Sequence, residues 1–256
     1  MMFDTHMHTK YSTDSHMTID EVINKISEYN IGAIITEHMD LNYHNKEEFR
    51  LDSDKYFDDY YKYRNNKLLL GIEIGMCNEY CSNYENIVNE YPFDYIIGSV
   101  HEIGDEDLYV SEKIYKNNSK DELYIKYFQE IIKRIKKHRF INSLGHIDYI
   151  ARCAKYDDRE IYYNNYIEHI DDVLLNLIDK DICLELNTRR LGDKKAITNI
   201  IKIYNRFSEL GGKFITIGSD AHNKNSIANY FKEATELAEF CGLRPVYFKN
   251  RKIELL

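Results

Sequence analysis

No stretch of the 256-residue chain approaches the roughly 18–20 consecutive apolar residues that a membrane-spanning helix needs. The opening Met1-Met2-Phe3-Asp4 lacks the basic and apolar regions of a secretory signal. Cations are the minority, with 34 Lys+Arg against 43 Asp+Glu and a formal charge of −9. That balance argues against nucleic acid as a partner, because a sequence-independent footprint needs clustered Lys and Arg. With only 2 Pro and 11 scattered Gly, no linker or low-complexity run divides the chain. The five cysteines, Cys77, Cys81, Cys153, Cys183 and Cys241, are odd in number and include no C-x-x-C pair. They read as reduced, buried thiols rather than a disulfide framework or a metal site. These absences predict a soluble cytoplasmic protein, with residues 1–256 folding as one domain and no membrane partner, either a monomer or a small homo-oligomer.

What is present alternates. Short apolar runs lie near 1–4, 33–36, 68–74, 94–100, 141–146, 182–187 and 213–219, each of strand length and rich in Ile, Val and Leu. Amphipathic stretches separate them. Thr18-Ile19-Asp20-Glu21, Ser82-Asn83-Tyr84-Glu85 and Ser119-Lys120-Asp121-Glu122 each fit a capping box at a helix start. Tyr124, Phe128, Ile131 and Ile135 recur at helical spacing and predict a buried stripe. The Lys133-Arg134, Lys136-Lys137 and Arg139 run reads as the solvated face of the same helix. The alternation predicts an α/β protein with parallel strands and right-handed crossovers. Seven units in one chain favour a closed barrel over an open sheet, although the pattern leaves both possible.

The polar residues fall in a regular place. Asp4-Thr5-His6-Met7-His8 ends the first run, Glu37-His38 the second, and Glu73 lies at the end of the third. His101 ends the fourth, His146 the fifth, Asn187 the sixth, and Asp220 with His222 the seventh. In a parallel barrel the C-terminal strand ends converge on one face. Imidazoles and carboxylates crowded there would repel or be desolvated without compensation, and cations supply it. His6 and His8 stand at i and i+2 of a strand and so point to one side, able to grip one ion. Asp220-Ala221-His222 repeats the device. His44, His138 and His169 follow no strand end and read as ordinary packing or surface residues.

These motifs, from Asp4-Thr5-His6-Met7-His8 through Thr36-Glu37-His38, Gly71-Ile72-Glu73, Gly98-Ser99-Val100-His101 and Gly145-His146 to Ser219-Asp220-Ala221-His222, resemble the PHP (polymerase and histidinol phosphatase) superfamily. Their order and spacing look most like its stand-alone histidinol-phosphate phosphatases. The resemblance implies a distorted seven-stranded (β/α)7 barrel with two or three divalent ions, Zn, Mn or Fe, at the C-terminal strand ends. Carried over by motif, His6, His8, Glu73 and Asp220 would bind one ion, and Glu73 would bridge to a second held by His101 and His146. His38 and His222 would hold a third. Asp14 of Ser12-Thr13-Asp14-Ser15-His16 takes a place where many relatives carry a His, with His16, two residues later, as the alternative ligand.

The implied activity is metal-dependent hydrolysis of a small phosphate ester, L-histidinol phosphate, to L-histidinol and phosphate. Coordinated ions lower the pKa of water from 15.7 to about 7, which provides hydroxide at neutral pH. Arg152, Arg189 and Arg190 follow the fifth and sixth strand ends and are candidates for gripping phosphate; pairing with surface carboxylates is the alternative for each. Asp148 or a water on the metal would protonate the leaving group. Asp4, Glu37, Asp40 and Asp148 stand beside ligands and could fix imidazole tautomers. Glu102 follows His101 directly: facing the pocket it could pair with a cationic group of the substrate, facing away it would be a surface charge. Rival readings keep the metals and change the substrate to a phosphotyrosine, a sugar phosphate or a nucleotide phosphate. A nuclease, disfavoured by the charge, and a non-catalytic metal-binding barrel are the others.

Overall fold

The computed structural model describes residues 1–256. Strands β1 (Phe3–Asp4), β2 (Gly32–Met39), β3 (Leu68–Gly75), β4 (Tyr95–Ser99), β5 (Ser143–Leu144), β6 (Cys183–Asn187) and β7 (Phe214–Gly218) pair in parallel, each with the next in the chain. The ring then closes between the first and the last. Thr5 donates its backbone N–H to Ile217 (2.9 Å), Asp220 to His6 (2.8 Å) and His8 to Ala221 (2.8 Å). Met7 and Ala221 form a parallel bridge at the same seam. The α/β barrel expected from the alternating pattern is therefore the one observed, and its unevenness lies in strands of two residues standing beside strands of eight.

Helices α1 (Ile19–Tyr29), α2 (Ser53–Tyr60), α3 (Cys81–Glu90), α4 (Glu112–Asn117), α5 (Lys120–Ile135), α6 (Tyr149–Cys153), α7 (Ile167–Asp179) and α8 (Lys194–Glu209) lie in the crossovers, and α9 (Phe231–Phe240) follows β7. Every position of β2 and β3 is buried, which explains why these strands read as continuous apolar runs rather than alternating ones. Thr18 and Ser119 form the expected capping boxes. Ser82 does not. Tyr80 donates to Cys77 in a turn that starts α3 early, so Ser82 falls inside the helix, and no side chain caps it. On α5 the stripe of Tyr124, Phe128, Ile131 and Ile135 is buried as expected. Within its basic run, Arg134 departs from the solvated pattern. It is buried, and its guanidinium donates to the carbonyls of Met76 and, at 2.9 Å, Glu102.

The N-terminal end of the barrel is sealed by the C-terminus of the chain. Strand β8 (Arg244–Lys249) pairs in parallel with the start of β7, and β9 (Lys252–Leu255) folds back antiparallel on it. Val246 and Phe248 pack with Phe3, Ile34, Leu69, Tyr95, Ile97 and Cys183 in a separate apolar cluster. Phe3 stacks on Tyr247 with ring centroids 3.9 Å apart. Buried Asp94 ties the seal down, accepting from Arg64 Nε (2.8 Å) and from the backbone of Asn250 (2.9 Å). No helix is long and apolar enough to cross a membrane. With one end filled by apolar side chains, the polar residues gather at the other.

Candidate metal centre

Beyond β1 the chain stays extended along β7, so alternate residues take opposite sides. Thr5 and Met7 turn into packing, and His6 and His8 turn into the barrel mouth. The network around each ring assigns its tautomer. His6 Nδ1 lies 2.6 Å from Glu185 Oε1 on β6, so this nitrogen carries a proton and Nε2 faces the mouth. Ser12 gives its hydroxyl proton to Glu37 (2.6 Å), so it accepts from His8 Nδ1 (3.1 Å), and His8 Nε2 likewise faces the mouth. The two Nε2 atoms face each other at 3.1 Å. Glu73 Oε2 lies 3.4 and 3.5 Å from them, and Asp220 Oδ1 3.9 and 3.4 Å. All four side chains are buried, and Glu73 Oε2 has no well-aligned hydrogen-bond donor, although His38 Nδ1 lies 2.8 Å from it. Lone pairs and carboxylates converging out of water are mutually repulsive, and a divalent cation between them removes the conflict. The donors therefore fit a metal ion.

Glu73 also serves a second group. Its Oε1 accepts from Ser99 (2.7 Å) and lies 2.9 Å from His146 Nε2 and 3.3 Å from His101 Nε2. Asp40 holds His101 Nδ1 at 2.8 Å, which leaves Nε2 free toward Glu73. A third group forms where the His8 and His38 rings stack at 4.0 Å and His8, His38 and His222 converge. Asp14 joins it, 3.0 Å from His222 Nε2 and 3.8 Å from His38 Nε2. The structure brings Asp14, not His16, to this group; His16 is exposed outside it. Burial, together with the nearby His38 and His222, holds the His8 imidazole well below its ordinary pKa, in the neutral form that binds metal. Burial pushes the Glu73 carboxyl up, but the surrounding His6, His38 and His101 outweigh this and hold it well below the usual range.

Asp220 adopts a left-handed backbone with φ of 52°, a conformation that costs energy for a non-glycine residue and turns its carboxylate inward. Just before it, Gly218 is obligatory for a different reason: a Cβ there would lie 2.4 Å from both Glu185 Oε1 and His6 Cβ.

Of the residues expected to act on substrate, Arg152 and Arg189 line a cavity of about 500 Å³ with His38, His101, His146 and His222. Arg152 pairs with Asp220, and Arg189 donates to the Asp220 carbonyl at 3.1 Å. Arg190 and Asp148 do not reach the cavity, contrary to the sequence expectation. The 3₁₀ turn Thr188–Arg190 sends successive side chains about 120° apart, so Arg189 and Arg190 cannot face the same way. Arg190 is locked to Asp148 (3.2 Å) and Glu160 (2.5 Å) behind the rim. Among the acids beside ligands, Asp40 orients His101 directly and Glu37 orients His8 through Ser12. Asp4 binds no imidazole. It receives Ser219 Oγ (2.5 Å) and the N–H groups of Ser219 and Ala228 (both 2.9 Å), and burial pushes its pKa up to about 6. Glu185, the partner of His6, was not singled out by the sequence; its signal was a lone carboxylate in an apolar strand, on the same face as Asn187 two residues later. Glu102 faces the cavity rather than solvent alone. His44, His138 and His169 stand in none of the candidate metal groups.

A closed parallel barrel with three groups of imidazole and carboxylate donors on one rim defines a metal-centred α/β-barrel protein. The sequence pattern of the PHP domain matches residues 4–189, and the chain belongs to this family. It is 51% identical over 251 residues to a probable histidinol-phosphatase of Clostridium acetobutylicum, covering 98% of both chains. It is 31% identical over 264 residues to a histidinol-phosphatase of Lactococcus lactis, covering 97% of each. The crystal structure of histidinol phosphate phosphatase from Lactococcus lactis, complexed with zinc, L-histidinol and phosphate, superposes with a TM-score of 0.92 at 28% identity, covering 99% of this chain and 98% of that one.

Proposed function

We propose that the protein is a metal-dependent phosphomonoesterase that hydrolyses L-histidinol phosphate to L-histidinol and phosphate. The observation that carries this reading is the sharing of Glu73 between two groups of imidazole nitrogens beside a cavity that also holds Arg152 and Arg189. The end-to-end likeness to relatives named for this reaction supports the choice of substrate.

His6, His8, Glu73 and Asp220 would hold one ion, Glu73 with His101 and His146 a second, and His38 and His222 with Asp14 a third. Bound divalent ions supply an acidified water and neutralise charge on the phosphoryl oxygens. The protein's own groups do the rest. Arg152 and Arg189, held on Asp220 at the cavity wall, present guanidinium N–H groups to the phosphate. Glu185, Ser12 with Glu37, and Asp40 fix three imidazoles in the tautomer that aims Nε2 inward. With Asp148 held by Arg190 away from the cavity, the leaving alkoxide takes its proton from water.

The proposed setting is cytoplasmic, where five free thiols stay reduced, and the proposed partner is a small phosphate ester. The test is a panel of phosphate esters offered to metal-stripped protein re-supplied with Zn, Mn or Fe. Metal-dependent phosphate release from L-histidinol phosphate, well above that from phosphotyrosine, sugar phosphates or single-stranded DNA, is the expected result. Activity that survives complete metal removal, or a clear preference for another ester, would overturn the reading.

A further inference from the structure

Behind the cavity rim lies a buried ion cluster whose side chains do not reach the cavity. Arg190 sets one guanidinium between two carboxylates, with Nη1 3.2 Å from Asp148 Oδ2 and Nη2 2.5 Å from Glu160 Oε1. Both acids are buried, and neither has another cationic side chain within 4 Å. Glu160 Oε2 receives the Asn199 amide of α8 (3.5 Å), which ties the cluster to the outer helices. Burying two carboxylates against one cation is costly in free energy, and an apolar filling of the same volume would pack as well.

The two ends of the cluster give it a purpose. Asp148 is the residue from which α6 starts, and its carbonyl accepts from the backbone of Ala151 (3.0 Å) and Arg152 (3.3 Å). Arg190 directly follows Arg189 in the 3₁₀ turn. The Arg190–Asp148 pair is therefore a cross-brace between the element that carries Arg152 and the element that carries Arg189. With 5 and 3 residues, both fall far short of the roughly 12–15 at which a helix begins to stand on its own hydrogen bonds. Both arginines also reach one residue. Arg152 pairs with Asp220, and Arg189 lies 3.5 Å from the Asp220 carboxylate and 3.1 Å from its carbonyl. Like charges gathered at one point repel, so their spacing has to be imposed from behind.

We propose that Arg190 and Asp148 are positioning residues: their ion pair, anchored by Glu160, sets the spacing of Arg152 and Arg189 so that both guanidinium groups meet one phosphoryl group. The inference rests on the reading of those two arginines as phosphate ligands. Contacts of this kind need placement within roughly 0.5 Å, which two long side chains on short elements do not achieve unaided.

The test is the affinity of zinc-loaded protein for inorganic phosphate, read by calorimetry, with zinc per chain determined alongside. Asp148→Ala cuts the brace and leaves Arg190 paired one-to-one with Glu160. Arg190→Lys keeps the charge but replaces the planar fork with a single point. Each should weaken phosphate binding at least fivefold, and by about 10–100-fold where one charge-assisted contact is lost, with zinc content unchanged. In an Arg152→Ala/Arg189→Ala background, Asp148→Ala should change the affinity less than twofold, because nothing is left to position. A packing defect weakens phosphate binding in both backgrounds, so a loss of twofold or more there overturns the proposal. A loss smaller than fivefold for Asp148→Ala in the otherwise wild-type protein overturns it too; if that variant does not fold, Arg190→Lys decides by the same threshold. An equilibrium affinity is blind to proton transfer, so an acid role for Asp148 cannot mimic the result. If Arg152→Ala/Arg189→Ala itself leaves phosphate binding unchanged, the two arginines are not phosphate ligands, and the inference falls with that reading.

Discussion

The two ends of the barrel are built from the same seven strands and obey opposite rules. At the N-terminal end Phe3, Tyr95, Val246 and Phe248 pack tightly, and the one buried acid, Asp94, has donors for both carboxylate oxygens. At the C-terminal end buried acceptors face one another, Glu73 Oε2 has no well-aligned donor, and Asp220 sits in a strained backbone conformation. The lower end spends its residues on stability. The upper end holds a conflict that bound cations would resolve, and the rest of the fold keeps it in place.

This contrast can be broken by experiment. The largest effect falls at the rim: Glu73→Gln removes charge shared by two cation groups and should abolish essentially all turnover, while far-UV circular dichroism and the unfolding midpoint stay close to those of the metal-free wild type. A variant that keeps near-normal rates would remove Glu73 from its bridging place. At the sealed end the outcome reverses. Phe248→Ala should cost about 3–5 kcal/mol in denaturant unfolding, with zinc content and kcat per folded molecule retained. Equal losses of stability and metal would show that the ends are not independent.

A smaller effect sharpens the picture of the rim. Ser12→Ala breaks the link from Glu37 to His8 and should weaken zinc binding about 10–100-fold in chelator competition, more than it changes stability. The smallest belongs to neither end. His138, packed beside α5, donates Nδ1–H to the Arg134 carbonyl at 2.9 Å, and burial holds its pKa below the ordinary 6.5. Below that pH the unfolded chain binds a proton that the folded ring resists. Its contribution is therefore full above about 6.5 and declines as the pH falls. The loss of stability between pH 7.5 and 5.5, measured on metal-free protein, should be smaller in His138→Asn than in wild type.

How much of this was legible in the sequence follows from which contacts are local. Apolar runs ending in His or acid residues placed the cation groups on one rim, because strand direction and barrel closure leave those ends no other destination. His6 and His8 sharing a side follows from the two-residue period of an extended chain. Asp14 rather than His16 was favoured by counting alone. What escaped depends on distant parts meeting. Glu185 matters only because barrel closure brings β6 within one strand of β1, with β7 between them. Arg134 looked like one cation among several until Met76 and Glu102 offered it carbonyls. Arg189 and Arg190 are neighbours in sequence, yet a tight turn sends one to the cavity and the other to Asp148. The apolar seal by β8 was invisible for the same reason, since its partners are spread from Phe3 to Cys183.

The seam between β1 and β7 has a consequence for biosynthesis. Thr5 and Ile217, which hydrogen-bond across it, are 212 residues apart. On the ribosome, His6 and His8 emerge long before β7 and must wait for it before Asp220 can join them. Tight capture of an ion by the proposed first group would thus be deferred until β7 is made. A nascent or truncated product lacking the seventh strand would hold only a partial set of the proposed ligands, so metal loading would report that the barrel has closed.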